Sequence, residues 1–464
     1  MATTKSFFKS SFIYFIGNVS SKIIGFFMLP LYTELINPSD YGTYDLMIQV
    51  ATIAVSVIFF EMWVGVMRFM YDYKDMEERP KVVSNGLVLY CSSLVFYSIV
   101  FVIIANIVDI KYISYVFVYG ILLGLDNFYC LTARGYGKNK IFVISGVVST
   151  IITVIFNIIF IVYLKYDYSA LFISSIIAYI CKLILLEIYV KVIRNFKLKH
   201  VNKNTLKRML LFSLPLAINA VAFWFLTYFN RVIIVSVLGA DQNGFYAVGS
   251  KFAVAITLIS SCIQFAWQDK VFASGNEEVQ DYTYSANLYI KFLTLGSLAL
   301  IPVIFIIFPI MIDAAYAPAI SIMPTFIVAT VFSVFSVFIG QIFAAIKKTN
   351  IVFISTLVSA IINVATIYLL INRIGLEAAN IGLLAGYFVN IVLRLIILKK
   401  YVILNINWKY LIFIYLPLLV VTYVVYYKTN LLFNILLFVL VIGVTLLVTK
   451  NDIKAIFKSL KEKK

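Results

Sequence analysis

The chain has little charge for its length. Only 13% of its 464 residues are Asp, Glu, Lys or Arg, and no stretch is long or polar enough to form a soluble domain. The one histidine, His200, sits in a basic stretch, which excludes a histidine proton relay. Four cysteines (Cys91, Cys130, Cys181 and Cys262) lie within apolar segments without CxxC spacing. Neither a disulfide framework nor a metal site is expected from them, and they read as buried packing residues. There is no Walker A sequence, so this polypeptide is not expected to use ATP directly. Nor is there a Ser/His/Asp arrangement, a metal cluster or a loop DxD motif, and no external loop exceeds about ten residues. That argues against a membrane glycan polymerase or ligase, and an enzyme is not expected.

Apolar sequence is abundant. Hydrophobic residues make up 63% of the chain and its mean hydropathy is +1.00, against roughly 45–50% apolar residues in soluble domains. Segments of about 20 apolar residues recur, each long enough to cross a hydrocarbon core of about 30 Å as a helix. Polar or Gly/Pro/Asn-rich breaks place helices at 10–34, 44–69, 82–107, 112–133, 141–164, 170–192, 209–238, 244–271, 286–312, 320–345, 351–371, 377–398, 410–427 and 431–449. The expected class is an all-α polytopic membrane protein with about fourteen transmembrane helices. Lys5 and Lys9 precede the first run as in a signal peptide, but that run continues past 20 residues without a small-residue cleavage site. An uncleaved first helix is expected.

The net charge of +17 would suggest nucleic acid in a soluble chain. Here the basic residues collect in alternate connections, the N-terminus, "DYKDMEERPK", "RGYGKNK", "RNFKLKHVNKNTLKR", "KKTN", "KKYVILNINWK" and the tail "KNDIKAIFKSLKEKK". The opposite connections, such as "INPSD", "VDIK", "GADQN" and "NRIGLE", are short and nearly neutral. By the positive-inside rule both termini are cytoplasmic, and no nucleic-acid partner is expected.

The turn after the first helix, "INPSDYGTYDL", returns as "VLGADQNGFYAV", with Gly42 on Gly244 and Tyr44 on Tyr246 at a separation of 202. The same register sets Arg68 on Lys270. "GKNKIFVISGVVSTII" and "KKTNIVFISTLVSAII" match 210 residues apart, with Ser145 on Ser355 and Ser149 on Ser359. The polar matches indicate a duplicated unit of six helices, and an even number makes the copies parallel. The expected organisation is a lobe over 1–200, a second over 201–400, and two further helices with a basic tail over 401–464. Each copied turn reads as a short external hairpin, with Gly42 reversing the chain and Tyr41 and Tyr44 at the membrane interface.

A charged residue at mid-membrane costs about 2.5–3.5 kcal/mol on insertion scales, so deep ones are functional candidates. Lys22 is near the middle of the first helix, and Arg231 and Lys251 flank the second copy of the turn; facing an interface between lobes, they would form a cationic cavity. Lys182 is a fourth candidate, with Glu187 on its own helix able to neutralise part of its charge. Arg68, Arg134, Lys270, Lys291 and Arg394, close to cytoplasmic ends, are expected to reach headgroups along their own aliphatic stems. The acids Glu34, Asp45, Glu61, Asp126 and Glu187 can pair with the cations, bind a coupling ion or close a gate. Glu61 and Asp126, the deepest, are the coupling candidates. Such cations suit an anion, and a diphosphate offers about two charges and several acceptor oxygens. An inside-negative potential favours its outward movement by about 2.3 kcal/mol per charge per 100 mV.

The first helix ending in "MLPLYTELINPSDYGTYDL", the related "VIIVSVLGADQNGFYAVGSKF" and the "ARGYGKNK" connector resemble the polysaccharide-unit (Wzx-type) flippases of the multidrug/oligosaccharidyl-lipid/polysaccharide (MOP) exporter superfamily. The likeness spans essentially the whole chain. It implies a V-shaped pair of six-helix lobes, alternating access, and transfer of a polyprenyl-diphosphate-linked oligosaccharide from the inner to the outer leaflet. Relatives of this kind carry cationic cavity residues on helices 1, 2, 7 and 8. Lys22, Arg231 and Lys251 match those helices, whereas helix 2 offers only the peripheral Arg68. Bending of the first helix between states, known in some relatives, would be permitted by Gly25 and Pro30. Expected partners are the anionic lipid-linked oligosaccharide, the bilayer and other membrane proteins of polysaccharide assembly. No cofactor is expected beyond a coupling ion, sodium or proton, or the membrane potential. A peptidoglycan-precursor flippase and a cation-coupled drug exporter share the fold; the drug exporter would need an acidic cavity, against the basic majority found here.

Overall fold

The computed structural model describes residues 24–73, 75–273, 281–346, 348–428 and 430–461. Lys22 lies outside them. Among the described residues all regular structure is helical apart from one isolated bridge between Asp281 and Ile403. In chain order the helices are α1 (Ile24–Leu35), α2 (Pro38–Ile58), α3 (Arg79–Ile107), α4 (Ile113–Gly135), α5 (Asn139–Tyr163), α6 (Ser169–Val190) and α7 (Lys203–Thr227). They continue as α8 (Ala240–Ala273), α9 (Thr283–Met311), α10 (Ala319–Ala345), α11 (Thr349–Ile374), α12 (Glu377–Leu398), α13 (Trp408–Lys428) and α14 (Leu431–Lys461). Twelve of these, all but α1 and α8, are long and apolar enough to span a bilayer by length and composition. The protein is a multi-pass helical membrane protein.

Two segments expected to be continuous are interrupted. After α2, Phe60 and Glu61 both adopt left-handed backbone (φ 55° and 50°), and the helix resumes as Met62–Met70. After α7 the chain restarts as Asn230–Leu238.

The copied turn is placed differently from expectation. Gly42 and Gly244 lie inside α2 and α8, and the reversals come earlier. In the first copy Asn37 caps α2, its Oδ1 accepting from the Asp40 N–H at 2.9 Å, and Pro38 starts the helix at no cost in hydrogen bonds. In the second copy Gly239 takes φ +101°, a conformation glycine adopts readily. Asn37 and Gly239 are themselves 202 apart. Tyr41 is buried instead of interfacial, and Tyr44 packs edge-on against Phe172 at 4.9 Å.

The chain forms two compact units, Met1–Val232 and Ile233–Lys464. α7 lies within the first of these. Its Trp224 Nε1 donates to the Gln49 carbonyl of α2 at 3.0 Å. Gly65 lets it approach closely, since a Cβ there would sit 2.7 Å from Ser213 Oγ. Small residues at such contacts are how membrane helices associate without a hydrophobic driving force between them. The linker before α7 is fastened to α3 by Asn85, whose Nδ2 donates to the His200 carbonyl and whose Oδ1 accepts from the Asn202 N–H.

Helix limits repeat between the halves. Arg79–Ile107 and Thr283–Met311 coincide at a separation of 204. Ser169–Val190 and Glu377–Leu398 coincide at 208, and α5 and α11 begin 210 apart. The core of the first unit gathers Val55, Phe59, Trp63 and Met70 against Tyr90 and Phe128. In the second unit α10 lies in the core, with Met323, Ile327, Phe338 and Phe343 all buried, whereas α14 leaves Leu446 and Leu447 exposed. The apolar residues left exposed, such as Val102 and Ile103 of α3 and Leu369 of α11, suit a lipid surround.

Candidate functional site: buried ion pairs and a polar cavity

Arg231, in the short helix after α7, is buried, and its Nε donates to Asp45 Oδ2 of α2 at 2.6 Å. The guanidinium also lies over the Tyr228 ring, 5.4 Å from its centroid. Lys182 of α6 is buried too, with Nζ 2.8 Å from each carboxylate oxygen of Asp126 on α4. Cys130, one turn after Asp126, donates its thiol to the same carboxylate. The counter-ion of Lys182 is thus Asp126 and not Glu187. Glu187 instead accepts from the Tyr129 hydroxyl at 2.8 Å and from the backbone N–H groups of Ile193 and Arg194, closing the end of α6.

Both pairs join residues remote in sequence through helix packing. In low dielectric each charge is costly alone, and attraction at this distance offsets the desolvation only because both partners are present. The first unit therefore brings together Arg231 with Asp45 and Lys182 with Asp126, as compensated pairs. Lys251 is half-buried on α8 of the second unit.

Glu61 stands at the interruption after α2, half-buried, its Oε2 accepting from Trp63 Nε1 at 2.7 Å. Two consecutive non-glycine residues in left-handed backbone are uncommon, and such conformations collect at functional sites. Gly25 and Pro30 flank Met28, where the helical pattern of α1 is briefly broken.

Beside these residues the first unit holds a cavity of about 220 Å³. Tyr32, Tyr119 and Tyr179 line it with Ser149, Thr153 and Ser175, and Gly25 lies at its edge. Asn157 fixes Tyr32, donating from Nδ2 to its hydroxyl at 2.6 Å.

Other residues depart from expectation. Arg394 does not reach a headgroup: it is buried, and its N–H groups are taken by Ser355 Oγ, Thr356 Oγ1, Ser336 Oγ and the carbonyls of Ser336 and Val352. Lys291 pairs with Asp452 at 3.0 Å. Cys91 is exposed, where a buried packing residue was expected. The hydroxyl lining of the cavity was missed, although Ser149 and Thr153, and Ser175 and Tyr179, each stand one helical turn apart. Among the described residues no three His, Cys, Asp or Glu side chains group as metal ligands do.

At the same places the second unit carries neutral groups. Asn390 stands 208 residues after Lys182, the separation of α6 and α12, and Ser336 stands 210 after Asp126, the separation of the C-terminal ends of α4 and α10. Ser336 Oγ donates to Asn390 Oδ1 at 2.8 Å.

The lipid II flippase MurJ in an inward closed conformation shares the fold, with a TM-score of 0.73 at 15% identity over 95% of this chain and 100% of that one. An inward-facing multidrug resistance MATE family transporter of the MOP superfamily matches with a TM-score of 0.66 at 15% identity, over 83% of this chain and 98% of the other. A MOP superfamily transporter from Pyrococcus furiosus, for which a reversed polarity of the binding pocket is described, gives 0.59 at 15% identity over 84% and 94%. No curated protein matches the chain in sequence. The model of the family described as polysaccharide biosynthesis protein matches residues 7–267. That match covers more than half of the chain, which therefore belongs to the polysaccharide biosynthesis protein family and has the fold of MOP superfamily transporters.

Proposed function

We propose that the protein is a flippase that moves a polyprenyl-diphosphate-linked oligosaccharide from the inner to the outer leaflet of the cell membrane by alternating access, for assembly of a surface polysaccharide. Membership of the polysaccharide biosynthesis protein family is the observation that carries this reading. The basic bias of the connections supports cytoplasmic termini. Lys22, Lys251 and Arg231 hold the diphosphate, and Arg231 does so by exchanging the Asp45 carboxylate for a phosphoryl oxygen. Lys182 serves as the counter-ion of Asp126. Glu61, at a helix interruption where Trp63 and Ser56 hydrogen-bond its carboxylate, is the favoured site for coupling to a sodium or proton gradient, and the membrane potential adds to the outward drive. Other membrane proteins of polysaccharide assembly receive the product.

Deleting the gene should make polyprenyl-linked oligosaccharide accumulate in the inner leaflet. An unchanged distribution between leaflets would sink the proposal. A second reading, transport of a peptidoglycan precursor, draws support from the extent of the likeness to the lipid II flippase. It requires that the deletion trap lipid II instead.

A further inference from the structure

The cavity of the first unit has a chemistry unlike the charged residues assigned to the diphosphate. Among the described residues no Asp, Glu, Lys or Arg lines it. Its walls present serine, threonine and tyrosine hydroxyls and two aromatic rings, Tyr119 and Tyr179, 5.6 Å apart and inclined by 56°.

The hydrogen-bond roles are set by the helices. Thr153 Oγ1 donates to the Ser149 carbonyl, which leaves its oxygen able to accept, whereas Ser175 Oγ donates to the Leu171 carbonyl and is also hydrogen-bonded with Tyr44. The Tyr32 oxygen already accepts from Asn157, which leaves its hydrogen to donate. Asn157, which holds Tyr32 in place, is 1% exposed and stands behind the cavity wall.

A ligand that fits must be neutral, must offer several groups that both donate and accept, and must present C–H faces to aromatic rings. A sugar ring has all three properties, and about 220 Å³ suits one ring better than a chain. Drug-sized ligands use pockets of about 300–1,000 Å³.

Resting on the flippase reading above, we propose that this cavity is a sugar-binding subsite, holding one residue of the oligosaccharide while the diphosphate is bound elsewhere. The subsite separates a loaded carrier lipid from an empty one, because the empty lipid leaves the cavity hydroxyls without a ligand.

The test uses the full chain in lipid nanodiscs and two probes, sugar-free polyprenyl diphosphate and the polyprenyl-diphosphate-linked oligosaccharide extracted from the cells that make the protein. The wild type should bind the sugar-bearing lipid about tenfold more tightly. Ser149→Leu, which fills the cavity, should remove that preference and leave affinity for the sugar-free lipid within about twofold. Thr153→Val, nearly the same size, should reduce the preference by about threefold to tenfold, the effect of one lost hydrogen bond, and it serves if the leucine variant does not fold. An undiminished preference in a folded variant, or none in the wild type, would overturn the subsite while leaving the flippase reading intact. Failure of the wild type to bind either lipid would overturn both.

Discussion

At the scale of single residues, two of the cations that drew attention in the sequence, Arg231 and Lys182, are buried with acids. Removing one member of a buried pair strands the other charge, at about 3–5 kcal/mol, whereas replacing both with apolar groups is often neutral. Arg231→Ala should therefore lower thermal stability in detergent strongly, and Arg231→Met combined with Asp45→Leu should recover most of the loss. If the single variant melts like the wild type, the pair is not a structural unit. Transport assays on Arg231 variants need that stability control, since loss of activity alone does not separate substrate binding from folding. Asp167, in the connection between α5 and α6, titrates in a predictable direction. Burial pushes its carboxyl up, but hydrogen bonds from Lys111 Nζ, Ser169 and the Tyr112 hydroxyl outweigh that and hold it at about 2. A depressed folded-state value means that its contribution is complete above the ordinary carboxylate value of about 3.9 and is lost as pH falls through about 2. Asp167→Asn should lower the melting temperature at pH 7 and lower it much less at pH 2; an equal loss at both would exclude the ion pair as the cause.

At the scale of helices, hydropathy made most of the architecture legible. The span expected over 377–398 is α12 to the residue, because its ends coincide with a glycine turn and a lysine pair. The interruptions after α2 and α7 were not legible. Neither contains proline or glycine, and the first is made by Phe60 and Glu61, residues that carry no turn signature. The reversals were assigned to Gly42 and Gly244 because glycine is the stronger signal, yet Asn37 with Pro38 and Gly239 make them. Gly239→Ala should cost about 1–3 kcal/mol through its positive φ. Gly146→Ala, in α5 with open space around the new methyl group, should stabilise by about 0.5–1 kcal/mol. Similar melting shifts in both variants would show that backbone conformation is not what fixes Gly239.

At the scale of the whole molecule, two pairs of helices, α3 with α9 and α6 with α12, share their limits 204 and 208 residues apart. The polar matches that suggest a repeat were legible in the sequence. The pairing of Asp45 with Arg231 was not, because 186 residues separate them and only packing decides which acid meets which base. In the second unit Ser336 and Asn390, 210 residues after Asp126 and 208 after Lys182, are joined by a hydrogen bond between neutral side chains, with Arg394 donating to Ser336. Asp126→Ser with Lys182→Asn should thus fold nearly as well as the wild type, while Lys182→Asn alone loses about 3–5 kcal/mol. Additive losses in the double variant would deny that the sites are equivalent. The central claim is that this molecule flips a lipid-linked sugar, and it is tested most directly in sealed proteoliposomes carrying polyprenyl-diphosphate-linked oligosaccharide in both leaflets, probed by a membrane-impermeant sugar-modifying enzyme added outside. The account predicts that the enzyme reaches the whole pool when the protein is present and only the outer-leaflet half when it is absent. An inner half that stays protected with folded, reconstituted protein, under an imposed ion gradient and potential, would contradict it.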